Sequence, residues 1–164
     1  MGTVIGMLVV LALVPLAWWR MLKGWQARGA LDADLPVPAE PAPEAEDVEG
    51  VEGVYVSTVH AGRPLERVVA HGLGTRSTVV VTVDAEGVSL HRGAARSVRI
   101  PRADLLGASR QRGQAGKVVA GKEGLVVITW RLGGTELDTA VRCRHRGDAG
   151  RLLEQVQAMG EVQA

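Results

Sequence analysis

Residues 125–144 read LVVITWRLGGTELDTAVRCR, and residues 148–160 continue as DAGRLLEQVQAMG. Two β-rich runs flank Gly133-Gly134, a two-residue link suited to a hairpin turn. In the first run Val126, Ile128, Trp130 and Leu132 share one face. In the second, Leu137, Val141 and Cys143 share a face, and Glu136, Asp138, Arg142 and Arg144 the other. Cys143 therefore reads as a core residue and not as a reactive thiol. The period then changes. Asp148 is placed to cap a helix, Leu152, Leu153, Val156 and Met159 recur at helical spacing, and Gly160 suits the position just past its end. A hairpin followed by one amphipathic helix needs a sheet for that helix to cover.

The sheet is found upstream. Residues 54–59 (VYVSTV) are β-rich, and Val79, Val81 and Val83 share a face of the run 78–83. The turn Asp84-Ala85-Glu86-Gly87 leads into Val88–His91, and Gly93-Ala94-Ala95 separates it from Val98–Ile100. A further strand is expected from Asp104 to Arg112. Seven short strands and one helix predict a mainly β protein. The architecture expected is an antiparallel, partly open barrel or sandwich plugged at one end by the C-terminal helix.

Between the fifth and sixth strands lies GKVVAGKE, residues 116–123, one residue short of a phosphate-binding loop. Such a loop needs a strand before it, a helix after it, and a Ser or Thr to hold Mg²⁺. Here Glu123 replaces the hydroxyl and a β-run follows, so nucleotide hydrolysis is not expected. The plain reading is a glycine-rich loop. The functional reading keeps its cations: Lys117 and Lys122, with Arg110 and Arg112, would meet an anionic partner or lipid headgroups. The stretch HGLGTRST, 71–78, reads as a tight turn on an exposed loop, with His71 and Arg76 upon it. His60, His71, His91 and His145 show no metal-ligand spacing, and no nucleophile motif is present. No catalytic residue, metal or cofactor is assigned. Tyr55 and Trp130 are the only aromatic residues after position 53 and both fall in strands, so no base-stacking platform for nucleic acid is expected.

The N-terminal part differs in kind. Residues 1–19 carry no charged side chain. As a helix they would measure roughly 28 Å, near the hydrocarbon thickness of a bilayer. Arg20 and Lys23 follow, and Trp18, Trp19 and Trp25 gather at that end, as interfacial indoles do. No basic residue precedes the apolar core and no small-residue cleavage pattern ends it, which favours an uncleaved anchor over a signal peptide. The basic flank predicts a single-pass protein with its N-terminus outside and its domain in the cytoplasm. One cysteine, unable to form an internal disulfide, is compatible with a reducing compartment.

Residues 29–53 hold eight acidic residues, no basic one and four prolines. That composition predicts a disordered or extended tether. The organisation read from sequence is thus an anchor with its basic flank over 1–23, a juxtamembrane segment and tether over 24–53, and a domain over 54–164. The charge is patterned: +3 through residue 28, −8 over 29–53, and +6 over 54–164 (16 basic against 10 acidic residues).

Several strings resemble the short, membrane-anchored PH-like-domain proteins of actinobacteria: Trp18-Trp19-Arg20, GWQARG (24–29), GVYVSTV (53–59), HGLGTRS (71–77), AGK (115–117), GLVVITW (124–130) and LDT (137–139). The resemblance implies a seven-stranded, bent antiparallel barrel capped by a C-terminal helix. It implies no catalytic activity. Better-studied PH domains usually carry a Trp in the final helix, whereas Asp148–Gly160 has none. Of the basic residues those domains use in the first hairpin, only Arg63 and Arg67 have counterparts. The function expected is a non-catalytic protein-binding or scaffolding module at the membrane, with its partner unknown. Anionic-lipid binding and an exported domain are the alternatives.

Overall fold

A computed structural model describes residues 13–16, 18–20, 32, 34–42, 49–111, 113, 114, 117, 118 and 124–161. The chain forms two units, Met1–Asp34 and Leu35–Ala164. In the first, Leu13–Leu16 and Trp18–Arg20 are helical and exposed. Most of the apolar stretch, together with Lys23 and Trp25, lies outside the described residues. Among those described, no helix is long and apolar enough to cross a membrane. Residues 1–12 and 17 of the spanning helix expected over 1–19 lie outside the described residues.

The second unit is the β-domain. Its strands are β1 (Val51–His60), β2 (Ser77–Asp84), β3 (Gly87–Arg92), β4 (Val98–Pro101), β5 (Leu105–Gln111), β6 (Gly113–Gln114), β7 (Lys117–Val118), β8 (Leu125–Leu132) and β9 (Thr135–Cys143), followed by helix α1 (Asp148–Glu161). Seven of them make one antiparallel sheet in the order β4-β3-β2-β1-β9-β8-β5, while β6 and β7 form a separate short ribbon. The sheet's two edges, β4 and β5, are consecutive in the chain and are joined only by the 3₁₀ turn Arg102–Asp104. Two irregularities in register interrupt the sheet, at Val56 in β1 and at Leu106 in β5. A bulge of this kind bends a strand and increases its twist.

The β8–β9 hairpin turns at Gly133 and Gly134, with φ of 56° and 91°. Both values lie in the region that a tight two-residue turn requires and side chains resist. Val126, Ile128, Trp130 and Leu132 enter the main core as expected, with Leu137 and Val141 from β9. Leu125 and Val127 are buried too, in a smaller cluster with Ala140. Cys143 is partly buried and packs against the main core.

Helix α1 covers the core with Ala149, Leu152, Val156 and Met159, all buried, while Leu153 is half-buried. Leu152 and Val156 are fully buried, and each stabilises the domain by about 1.5–3 kcal/mol. Asp148 stands in the first turn, where a carboxylate complements the helix dipole. No tryptophan stands in α1, and Ala149, Leu152, Val156 and Met159 fill its buried face. The large indole of the core comes from β8 instead, as Trp130.

Candidate functional site

The four cations singled out from sequence are not assembled by the described residues. Arg110 is exposed at the end of β5. Lys117 lies in β7, its backbone opposite Gln114. Arg112 and Lys122 lie outside the described residues. Among the described residues, Gly124 leads directly into β8, with no helix there to receive a phosphate. Among the described residues no three His, Cys, Asp or Glu side chains gather as a metal site would require.

The polar side chains that do converge lie around the β1–β2 connection. Trp130 Nε1 donates to Thr139 Oγ1 at 2.9 Å, and Thr139 Oγ1 is 2.7 Å from Thr58 Oγ1 on the neighbouring strand. Thr58 Oγ1 in turn meets the Tyr55 hydroxyl, which donates to the Leu73 carbonyl at 2.9 Å. A carbonyl can only accept, so the chain has one direction: indole to Thr139 to Thr58 to Tyr55 to Leu73. Burial pushes the Tyr55 phenol above its ordinary value, partly offset by its bond to Thr58 and by the nearby Arg92 charge. The proton stays on Tyr55, as this chain requires.

Arg92, at the end of β3, is 5% exposed. Its Nε donates to Ser77 Oγ at 3.0 Å. Nη1 reaches the carbonyls of Gly72 (3.2 Å) and Arg96 (3.3 Å), and Nη2 those of Gly72 (3.2 Å) and Thr75 (2.5 Å). Its guanidinium carbon lies 3.9 Å from the Tyr55 ring centroid. Burial lowers its pKa, opposed by the Tyr55 interaction. None of these partners is a carboxylate; backbone dipoles and an aromatic face hold the charge. The segment HGLGTRS is therefore clamped, with Leu73 fully buried and His71 half-buried, while Thr75 and Arg76 are exposed as its composition suggests. His71 adopts φ 54°, and its Nε2 donates to the Leu35 carbonyl at 2.8 Å.

That last bond brings in the acidic segment. Leu35 is buried in the main core. A Cβ on Gly133 would come within 2.6 Å of the Pro36 ring, so Pro36 lies directly on the β8–β9 turn. Ala39 bridges antiparallel to Arg99 of β4, whose N–H donates to the Ala39 carbonyl at 2.7 Å. Glu40 forms an ion pair with Arg96. Part of the stretch read as a tether is thus laid along the domain, and β1 itself starts at Val51, three residues before the boundary read from sequence.

On the same edge, Arg99 Nη1 and Nη2 each lie 2.7 Å from an Asp84 carboxylate oxygen, and Nη1 donates to Ser89 Oγ at 2.6 Å. Arg99 and the backbone N–H groups of Glu86 and Gly87 hold the Asp84 carboxyl down to about 2, from an ordinary 3.8. The folded value is the lower one, so this stabilisation is present above about pH 4 and is lost as pH falls through about 2. Asp84 is half-exposed, which keeps the effect below about 1 kcal/mol. Between pH 4 and 2 the wild-type protein should lose stability faster than Asp84→Asn, as compared by urea unfolding at each pH. Parallel curves would contradict the assignment.

Two large apolar side chains of the β1–β2 connection face solvent: Leu65 is 77% exposed and Val69 is 74% exposed. Arg63, paired with Glu66 at 3.0 Å, lies beside them in the chain. Elsewhere, an open cleft of ≈ 550 Å³ is lined in part by Thr78, His91, Arg92 and Ser97, and Glu52 pairs with Arg144 at 2.9 Å along it. Arg92, its central cation, is already engaged in the clamp. The arrangement is a bent, open antiparallel sheet; its buried Tyr55, Thr58, Thr139, Trp130 and Arg92 groups serve the scaffold, and its exposed chemistry lies on the loops and edges.

This is the build of a PH-type binding scaffold. The model of the family described as bacterial PH domain-like matches residues 33–157, and the chain belongs to that family. No curated protein matches it. The match starts at residue 33, so the family region includes the Leu35–Glu40 segment.

Proposed function

We propose that this protein is a non-catalytic protein-binding module, held at the membrane by residues 1–23 and presenting its PH-like domain to the cytoplasm. One observation carries the reading. The Tyr55, Thr58 and Thr139 hydroxyls, the Trp130 indole and the Arg92 guanidinium are committed to the scaffold, while Leu65 and Val69 stand exposed on a connection that is clamped at its base. Rigidly held apolar side chains on a rim suit contact with another surface. PH-like domains generally act as binding modules, which agrees.

Affinity capture of the full-length protein from native membranes should recover a reproducible partner. Leu65→Asp with Val69→Asp should reduce that recovery at least tenfold while leaving the thermal transition within a few degrees of wild type. Equal recovery by the variant, or recovery of nothing above background, would refute the reading. Alkaline phosphatase fused after Ala164 should be inactive; activity there would reverse the orientation.

Anionic headgroups are a second reading, favoured by the exposed apolar pair lying beside Arg63. The Lys117 and Lys122 loop would contribute to it. Soluble phospholipid headgroups should then shift the NMR signals of residues 63–69 and 117–122, and unchanged spectra would dismiss it.

A further inference from the structure

A sheet that does not close has two edges, each a row of backbone groups able to pair with another chain. Here β5 lies beside α1, whose Gln157 Nε2 donates to the Ala108 carbonyl at 3.1 Å. The β4 edge is covered by Leu35–Glu40. Its hold has three parts: an antiparallel backbone pairing of Ala39 with Arg99, the side chain of Leu35 buried in the core, and the carboxylate of Glu40 on Arg96. His71 fixes the Leu35 carbonyl, and Pro36 rests on the Gly133 turn.

Those are the elements by which a sheet edge receives an extended peptide: main-chain pairing for affinity, and side-chain pockets for selection. Pro36, Pro38 and Pro41 hold the segment close to the extended form and reduce the entropy lost on docking. The attachment is also sparse. Among the described residues, one backbone bridge, one imidazole bond and one exposed ion pair secure a segment whose buried side chains are Leu35 and Pro38.

We propose that the β4 edge is the peptide-docking site of this domain, and that Leu35–Glu40 is a ligand bound in cis. The partner segment that displaces it is extended and proline-bearing, with an aliphatic side chain where Leu35 sits and an acidic one five residues later. This rests on the protein-binding reading and gives it a second surface, distinct from Leu65 and Val69. The cis segment joins β1 through about ten residues, so its effective concentration at the edge is on the order of millimolar. A free peptide of equal intrinsic affinity is therefore excluded from the wild-type protein until the strap is released.

The test uses full-length protein and a labelled peptide of residues 33–42, ADLPVPAEPA. The strap-released variant Leu35→Asp/Glu40→Arg should bind this peptide at least tenfold more tightly than wild type, by fluorescence anisotropy. Adding Arg96→Glu to that variant should weaken binding at least fivefold. Equal binding by wild type and a folded released variant, or binding by neither, overturns the proposal. Should the released variant lack a cooperative thermal transition, a protease site is inserted between Ala42 and Glu49 of the otherwise wild-type chain. After cleavage the two fragments should separate on gel filtration at low micromolar concentration, and free peptide should rebind the domain. Fragments that stay together at nanomolar dilution would make the segment an integral strand and overturn the proposal. The peptide assay needs no cellular partner. Its failure removes the edge site alone, and failure of membrane capture removes the module reading while leaving the edge result standing.

Discussion

Arg92→Met is expected to lower the unfolding free energy by about 3 kcal/mol. The methionine fills much of the space but donates nothing. It leaves the carbonyls of Gly72, Thr75 and Arg96 and the hydroxyl of Ser77 without the guanidinium N–H groups that now reach them. The Ser77 hydroxyl is buried and the three carbonyls are part-buried, so an unsatisfied acceptor costs roughly 1–3 kcal/mol at Ser77 and less at the carbonyls, and the lost contact with the Tyr55 ring adds about 0.5–2. Against this, removing a buried charge recovers its desolvation cost, the same term that lowers the Arg92 pKa. The balance still favours the native arginine, because all its donor nitrogens are engaged. Arg92→Lys should recover little, since an ammonium cannot reproduce the planar fork. Tyr55→Phe keeps the aromatic face and loses the hydroxyl's bonds to Leu73 and Thr58, so about 1–2 kcal/mol is expected there. Denaturant unfolding gives the magnitudes, and hydrogen exchange gives the location: amides of residues 70–76 should exchange faster in Arg92→Met. A loss under 1 kcal/mol, or full rescue by lysine, would show that the clamp is dispensable.

The clamp marks the limit of what could be read in the sequence. The strands could be read, because alternation of apolar residues and glycine-bearing turns are local signals. Residues 78–83, 88–91, 98–100, 125–132 and 135–144 fall within a residue or two of β2, β3, β4, β8 and β9. The helix also follows the pattern, though it runs through Gly160 to Glu161. Leu125 and Val127 were hidden because a run of apolar residues has no alternation to show a second buried face. Arg92 was hidden for a different reason. An arginine beside a glycine turn signals solvent, and apart from the Arg96 carbonyl the groups that hold it, the Ser77 hydroxyl and the Gly72 and Thr75 carbonyls, lie 15–20 positions away. Nothing short-range announces such a contact.

The acidic segment shows the same divide. Eight carboxylates and four prolines argue against a folded core of its own. Composition is silent on whether such a segment finds a partner elsewhere in the chain. Leu35 is an aliphatic side chain among charges, yet it enters the core, as does Val51 at the start of β1. Conversely, the lysine loop looked chemically rich because glycine and lysine recur there, while its described residues form a two-residue ribbon around Lys117. Local motif density and tertiary placement are independent quantities. In this chain the second locates the better-supported surface.

Gly87→Ala is expected to cost about 4 kcal/mol and to act through the edge that carries the strap. Gly87 closes the β2–β3 turn with φ 152°, and it also pairs with Pro101 at the end of β4. An added Cβ would collide with the Ile100 carbonyl oxygen and stand 3.0 Å from the Arg102 nitrogen. Both atoms are backbone, so neither can rotate away. The turn cannot yield readily either. Asp84 Oδ1 accepts from the N–H groups of Glu86 (2.8 Å) and Gly87 (3.1 Å), and Arg102 donates to the Glu86 carbonyl at 2.7 Å. Strain at such a φ costs about 1–3 kcal/mol and overpacking about 1–3 more. Gly62→Ala separates the two terms: φ there is 73° with nothing within 4 Å of the added carbon, so only the backbone cost of about 1 kcal/mol is expected. Unfolding midpoints of the two variants give the comparison, and equal losses would remove the steric argument. Relief of the clash moves the end of β4 outward, and Arg99, whose N–H holds Ala39, lies two residues from Pro101. In the fraction that still folds, the Leu35–Glu40 segment should therefore release more readily, seen as faster proteolysis near Ala42. Gly62→Ala should leave that cleavage rate unchanged, because its strain is not transmitted to the β4 edge.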